Sequence, residues 1–196
     1  GQAVPTYGGG IFKGAGRLVA RDSAIVGNRV TSTGYGGGIG LNGGGIGLDL
    51  ENVTIAGNHA SGLGGGIHTN NTIAAFLAHV TVVGNEAPAE TEIGGDASLF
   101  ALRSSIVAGT TGAPACDGTY RPASHGGNVG PAACGLAAPA DAVTADPRLA
   151  PLGGELPVLE PLPGSPAIDR AVGPCPPTDA RGVPRPLGAA CDAGAA

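Results

Sequence analysis

The sequence predicts an all-β fold, a right-handed parallel β-helix of about four coils followed by a different C-terminal segment. Three observations support this prediction: an internal repeat within residues 1–109, short segments with an apolar residue at every second position, and a sharp change in composition after Gly109. Repeats of roughly 20–50 residues are typical of architectures in which each unit buries its apolar face only by stacking on its neighbours.

The repeat is defined by two markers that keep the same order through four copies. The first is a glycine triplet followed by an apolar residue, with copies 28, 28 and 30 residues apart. The second is an apolar pair followed by Gly-Asn, with steps of 30, 27 and 24, degraded in its last copy to Ile-Val-Ala-Gly. The copies of the first marker are Gly8–Ile11, Gly36–Ile39, Gly64–Ile67 and, in degraded form, Gly94–Ala97.

Between the markers, segments such as Ile46–Leu50 and Val53–Ile55 alternate as a strand with one buried face requires. Equivalent residues of successive copies should therefore stack about 4.8 Å apart. We expect two interior columns, and their members are Ile25, Ile55, Val82 and Ile106, and Ile11, Ile39, Ile67 and Ala97.

Asparagine and glycine should form the corners of each coil. Asn28, Asn58 and Asn85 end three copies of the second marker, and asparagine tolerates left-handed backbone while its amide can bond to the copy above. The glycine triplets supply a second corner, where a Cβ would clash.

The chain after Gly109 has a different character. Residues 110–196 contain 15 of the 17 prolines and all four cysteines. Because proline removes a ladder donor, these residues cannot form interior strands. We expect a loop-rich segment packed on or capping the β-helix, where it would cover an open sheet edge.

The four cysteines allow three pairings. We expect Cys116 to pair with Cys134 and Cys175 with Cys191, because loops of this size close at little cost; free thiols are the alternative. Neither spacing is Cys-x-x-Cys and no histidine pair accompanies them, which argues against zinc. Disulfides in a segment with little core indicate an oxidising compartment and a secreted protein.

Charge and hydropathy exclude several partners. Ten scattered lysines and arginines against a net charge of -5 argue against nucleic acid. No apolar stretch approaches the roughly 18–20 residues that span a bilayer. The sequence begins without methionine and inside a repeat, so we expect upstream sequence to have been removed, leaving an open coil end that can stack on another coil, another copy or another protein.

Motifs of the C-terminal segment resemble the C-terminal signature of bacterial choice-of-anchor Q proteins, and the repeats are similar to those of polymorphic outer-membrane adhesins. The motifs are Ala145–Leu152, Leu162–Asp169, Cys175–Pro186 and Cys191–Ala195. Ala193 and Ala195 stand where that family usually has a bulky apolar residue and an aromatic one. The resemblance implies a secreted β-helix tethered at a bacterial cell surface, and it carries no catalytic residues to transfer.

Many parallel β-helices act on polysaccharides, and such chemistry needs converging carboxylates with a basic partner. By alignment, Asp22 stacks over Asn52, His79 and Arg103 in one column. This column is the best candidate for a catalytic site. The favoured interpretation is an outward polar ladder that solvates the sheet.

The C-terminal carboxylates are expected to be structural. We expect Arg181 or Arg185 to pair with Asp179 or Asp192, because arginine forks and backbone N–H groups commonly hold carboxylates in proline-rich loops. A Ca²⁺ site is the alternative for the carboxylates of this segment, although the calcium-binding nonapeptide repeat is absent. No other cofactor is predicted.

The sequence thus predicts a non-catalytic secreted or cell-surface protein with a structural or adhesive role. A subunit of a larger assembly is a further interpretation of the open coil end. Protein or glycan partners would meet the corner loops at Asn58–Leu63 and Ala87–Ile93. The alternative is a glycan-active enzyme that uses Asp22, His79 and Arg103.

Overall fold

The computed structural model describes residues 6–97, 99–109, 114–116 and 121–196, and they form an all-β chain. Residues 1–5, 98, 110–113 and 117–120, which the two predicted segments include, lie outside the described residues. Helical structure in the described ranges is one 3₁₀ turn at Ala132–Cys134. The strands are β1 (Ile11–Lys13), β2 (Arg17–Val26), β3 (Arg29–Val30), β4 (Ile39–Ala56), β5 (His59–Ala60), β6 (Ile67–Val83), β7 (Ile93–Gly95), β8 (Phe100–Arg103), β9 (Ile106–Ala108), β10 (Ala123–Ser124), β11 (Val129–Gly130) and β12 (Ala142–Val143).

These strands stack in parallel, coil upon coil. We call each coil a tier and distinguish three faces. The first face contains β1, the starts of β4 and β6, and β7. The second face contains residues 17–21, 47–51, 74–78, 100–103 and 123–124. The third face contains residues 23–26, 53–56, 80–83, 106–108, 129–130 and 142–143. The predicted parallel β-helix of about four turns is confirmed.

The third-face interior column contains Ile25, Ile55 and Val82, which are successive register partners. The predicted fourth member, Ile106, is wrong: Ile106 pairs with Thr81, and Val107 pairs with Val82. Ile106 therefore points away from the interior, yet it is buried. It packs with Ala167 and Ala193 of the C-terminal segment, and this cover makes an outward apolar side chain stable at that position.

The first-face column also differs in its fourth tier. Ile11, Ile39 and Ile67 are register partners, but the next partner is Ile93 and not Ala97. The fourth corner is therefore formed by Glu90–Glu92, and the Gly94–Ala97 alignment is wrong. Glu90 has φ 54°, close to the φ 65° of Gly64 one tier earlier. The fourth corner keeps its left-handed conformation although glutamate replaces glycine there. A search for glycine triplets therefore places the fourth corner at the wrong residues.

Stacking continues past Gly109, where the composition changes. β10 pairs with β8 and β11 with β9, so a further partial tier lies within the predicted C-terminal segment. Beyond β12 the chain forms isolated antiparallel bridges, such as Thr178 with Pro184. This last part lies against the corner between the second and third faces, as the contacts below show.

Candidate functional site

The corner between the second and third faces carries a polar column. Asp22, Asn52 and His79 follow aligned residues of β2, β4 and β6, and Ser104 stands at this position in the next tier. All four have positive φ, between 46° and 52°. The predicted fourth member, Arg103, is wrong: it pairs with Ala78, one residue earlier. The one-residue error in placing Ile106 also misplaced Arg103.

The C-terminal segment covers this corner through hydrogen bonds to its polar groups. The Asn52 Nδ2 group donates to Asp22 Oδ1 and to the Thr178 carbonyl, both at 3.0 Å. Ser104 Oγ accepts from the Val172 N–H at 3.0 Å and donates to the Val172 carbonyl at 3.1 Å. The Ser104 carbonyl accepts from the Gly194 N–H at 2.8 Å. Asn52, His79 and Ser104 are therefore buried under the C-terminal segment. Asp22, at the first tier, is exposed, so the expected outward ladder applies to this member alone.

His79 is fully buried under this cover. Arg185 Nη1 lies 2.8 Å from His79 Nδ1, and the Pro174 carbonyl oxygen lies 3.4 Å from Nε2. Because a guanidinium only donates, Nδ1 accepts, and the ring proton is assigned to Nε2. Burial, with the nearby charge of Arg185, lowers the His79 pKa to about 4. The imidazole is thus neutral and both of its nitrogens are occupied.

Arg185 links this histidine to the end of the chain. Its Nη2 donates to the carbonyls of Gly194 and Ala196 at 2.8 and 3.0 Å. Neighbouring Arg181 forms the expected pair with Asp179, with Nε 2.9 Å and Nη2 2.6 Å from Oδ2. Both arginines therefore hold parts of the C-terminal segment together through hydrogen bonds.

The carboxylates proposed as calcium ligands are likewise engaged with backbone. Asp192 accepts from the Asp169 N–H, Asp169 from the Ala190 N–H and Asp146 from the Arg148 N–H, at 2.7 to 2.8 Å. Within the ranges described, no group of three or more His, Cys, Asp or Glu side chains is placed to hold a metal ion.

Both disulfides join cysteines close in sequence. Cys116 pairs with Cys134 and Cys175 with Cys191, with Cα atoms 5.1 and 6.1 Å apart. Cys116 extends the first-face column, because it bridges to Ile93, so the first disulfide ties the last tiers together. The second closes the stretch of the cover that contains Arg185.

The corner after the third face carries the asparagine ladder. Asn58 Oδ1 accepts from the backbone N–H and the Nδ2 group of Asn28, both at 2.9 Å. Asn85 Oδ1 accepts the same two bonds from Asn58, again at 2.9 Å. The Nδ2 groups of Asn58 and Asn85 also donate to the carbonyls of Ile25 and Ile55. Each amide is therefore held between two tiers.

The ladder ends on Glu92, a residue whose role the sequence analysis missed. Its carboxyl group accepts from the Asn85 backbone N–H at 3.1 Å and from the Asn85 Nδ2 group. Burial raises the Glu92 pKa to about 8. Glu92 is one residue before Ile93, so it aligns with Gly38 and Gly66, where a Cβ would lie only 3.1 and 3.0 Å from an asparagine Nδ2. The second marker lacks asparagine in its fourth copy, and a long side chain at the glycine position takes its place.

The outward side of the second face forms what we call the lateral groove. Its polar and aromatic lining consists of Arg17, Arg21, Asp49, Glu51, Phe76 and Arg103. One part has a volume of about 260 Å³. A second part of about 480 Å³ shares Arg17, Asp49 and Phe76 with it.

Charges in the lateral groove are arranged across the tiers. Arg17 pairs with Asp49, and Arg21 Nε lies 3.1 Å from Glu51 Oε2. The Arg103 guanidinium carbon lies 5.0 Å from the centre of the Phe76 ring. Asp22 and His79 do not line this groove. Arg103 is near enough for its charge to contribute to the lowered pKa of His79, but it lies on a different surface from the two residues with which the sequence grouped it.

Comparison of the chain with protein families, curated proteins and solved structures found no match. Among the described residues, no helix has the length and apolar character to cross a membrane.

Proposed function

We propose that this chain is a non-catalytic secreted or cell-surface β-helix that serves as a rigid structural or adhesive scaffold. The observation that carries the proposal is the occupation of the polar corner by the chain itself. His79 has a partner on each ring nitrogen, and Asp22 bonds to Asn52. A general base must reach a proton on a substrate, and a fully buried imidazole under the C-terminal cover does not.

The stacked tiers suit a scaffold. Columns such as Ile25, Ile55 and Val82 bury a continuous aliphatic core through successive tiers. The faces of such a rod present side chains at fixed intervals of about 4.8 Å. Rigid spacing of this kind favours binding by several weak contacts at once, because the protein loses little conformational freedom on association.

Two disulfides favour an oxidising location outside the cytoplasm. The resemblance to bacterial choice-of-anchor Q proteins supports placement at a bacterial surface. Proteins and glycans are the partners available at a cell surface. A scaffold that binds them requires no cofactor. A larger assembly would stack on the edges of β1 and β2 in the first tier.

Catalysis is tested by incubating the purified chain with polyuronates and with neutral polysaccharides. Reducing ends and the ultraviolet absorbance of unsaturated products would be measured for the wild-type protein and for the H79A and R103A variants. The proposal predicts no product above a boiled control for any of the three. Turnover by the wild-type protein that falls in R103A would establish the glycan-active alternative.

Adhesion is tested separately on immobilised protein. Binding of extracellular polysaccharides and of surface proteins would be followed by biolayer interferometry. The proposal predicts saturable binding of a partner that is recovered chemically unchanged. Absence of binding across all of these partners would contradict the adhesive role.

A further inference from the structure

We infer that the lateral groove is a binding site for an oligosaccharide that carries carboxylates. This inference deepens the proposed function and rests on it, since it names the class of partner and the face that recognises it. Arg103 would contact the sugar carboxylate, while the paired acids beside it would accept hydrogen bonds from sugar hydroxyls.

The charge balance of the groove points to an anionic ligand. Arg17 and Arg21 are each paired with a carboxylate of the next tier. Within the described part of the chain, Arg103 forms no ion pair, and its Nε is buried without a hydrogen-bond partner. The guanidinium charge therefore has no carboxylate partner, and an anionic ligand that accepts hydrogen bonds from this side chain would supply the missing counter-charge.

Phe76 positions this cation. Arg103 lies over its ring, an arrangement that attracts a guanidinium while leaving its in-plane N–H groups for other partners. Because the guanidinium is planar and its donors form a fork, it can hold a carboxylate by two parallel bonds. A positioned arginine therefore favours a carboxylate over a neutral hydroxyl.

The floor of the groove leaves room for a sugar ring. Ala78 lies between Glu51 and Arg103, because it is the register partner of both. Two strand spacings separate Glu51 from Arg103, which is roughly 9–10 Å. A small residue between two long polar ones makes the depression, and its edges offer an acceptor on one side and a cation on the other.

The groove continues past Phe76, which favours an oligosaccharide over a single sugar. Its second part is lined by small residues, Gly47, Ala74 and Ala101, and by Leu99, whose side chain is 53% exposed. Apolar surface of this kind can pack against the C–H faces of neighbouring sugar rings. The ligand would lie across the tiers, with one carboxylate at Arg103.

Nucleic acid fits this surface less well. Two of the three groove arginines are already paired with carboxylates. A phosphate backbone needs a run of cations along its length, whereas this groove offers one that is uncompensated.

The test is isothermal titration of the purified chain at low ionic strength with tetragalacturonate and with its methyl ester. The R103M variant removes the charge while keeping a long side chain, and R29M is the matched control, since Arg29 is an exposed arginine of β3 outside the groove. We expect the ester to bind at least tenfold more weakly than the acid. R103M should bind the acid as weakly as the ester, and R29M should match the wild-type protein.

A second variant, A78L, fills the floor of the groove and should weaken binding of both acid and ester at least tenfold. Circular dichroism and thermal unfolding of each variant show whether the fold is retained. R103K keeps the charge without the planar fork and should recover part of the affinity. It changes a half-buried side chain on the outward side of the second face, and it keeps the inference testable if A78L does not fold.

Equal binding of the acid by R103M and the wild-type protein, or equal binding of acid and ester, would overturn the inference. Failure of the wild-type protein to bind the acid would also overturn it, and the scaffold proposal would still stand if another partner bound. Cleavage of the acid would instead overturn the non-catalytic proposal while leaving the groove as the binding site. Competition by a homopolymeric single-stranded DNA of equal charge at the same concentration would show recognition of charge alone and would contradict a carbohydrate site.

Discussion

Replacing Glu92 with glutamine should make the protein more stable at neutral and alkaline pH. The Glu92 pKa is about 8 in the folded chain against an ordinary value of 4.5. The folded state therefore binds more protons than the unfolded state between these values, and stability falls as pH rises through this window. Each pKa unit corresponds to about 1.4 kcal/mol, so the full window represents about 5 kcal/mol.

Glutamine keeps the acceptor oxygen that Asn85 requires and has no proton to lose. At pH 5 the folded carboxyl group is protonated and only about half a pKa unit of the window has been traversed, so E92Q should be more stable than the wild-type protein by less than about 1 kcal/mol. By pH 7 about 2.5 of the 3.5 pKa units have been traversed, and E92Q should be more stable than the wild-type protein by about 3 kcal/mol. The gain should approach about 5 kcal/mol above pH 8.

The assay is urea unfolding with the disulfides intact, followed by far-ultraviolet circular dichroism at pH 5, 6, 7 and 8. The difference between E92Q and the wild-type protein at each pH isolates Glu92, because the contribution of His79 cancels. E155Q is the control, since Glu155 is an exposed carboxylate of the C-terminal segment. A difference that stays constant from pH 5 to pH 8 would refute the assignment of a buried, protonated carboxyl group at the end of the ladder.

Two further predictions concern the corners. N58A should lower the free energy of unfolding by about 2–4 kcal/mol, because it removes the acceptor of the Asn28 backbone N–H and the buried Nδ2 bonds to Asn85 and to the Ile25 carbonyl. Urea unfolding measures this, and a loss no larger than that of N70A, at an exposed position, would contradict it. The His79 pKa of about 4 means that the folded state binds fewer protons than the unfolded state below about pH 6.5, so the stability it contributes should be lost as pH falls from 6.5 to 4, by about 3 kcal/mol. In H79Q this part of the pH dependence should disappear. Limited proteolysis should cut the C-terminal segment of the wild-type protein faster at pH 4.5 than at pH 6.5. Equal cutting rates would contradict a role of the contact between His79 and Arg185 in holding this segment.

The repeat could be predicted from sequence because its residues obey local rules. Asn28, Asn58 and Asn85 are needed at a left-handed corner, and alternation placed Ile25, Ile55 and Val82 inside. These positions depend on backbone geometry and on the neighbouring tier alone. The cysteine pairing was also accessible, because short loops close at little cost.

The errors occur where the fourth tier meets the C-terminal segment. Ile106 looks like an interior residue because it is apolar, and only the cover formed by Ala167 and Ala193 shows why it can face outward. Ile93 was missed because a glutamate, not a glycine, forms the preceding corner. Each error depends on a contact with residues distant in sequence, which a local pattern does not contain.

The candidate site was the least predictable part for the same reason. His79 reads as an exposed member of a polar column until Arg185, more than a hundred residues later, is placed against it. Arg103 reads as part of that column until the register shifts it by one residue, onto the outward side of the second face. The lateral groove is visible only when side chains of four tiers are brought together.

The most direct test of the stacked architecture is a methyl nuclear Overhauser experiment on selectively labelled protein. Parallel stacking with the C-terminal cover predicts cross-peaks linking Ile25 to Ile55, Ile55 to Val82 and Val82 to Val107, together with a cross-peak between Ile106 and Ala193. Absence of the first three while the protein remains folded would contradict the parallel β-helix on which the scaffold, its covered corner and its lateral groove all depend.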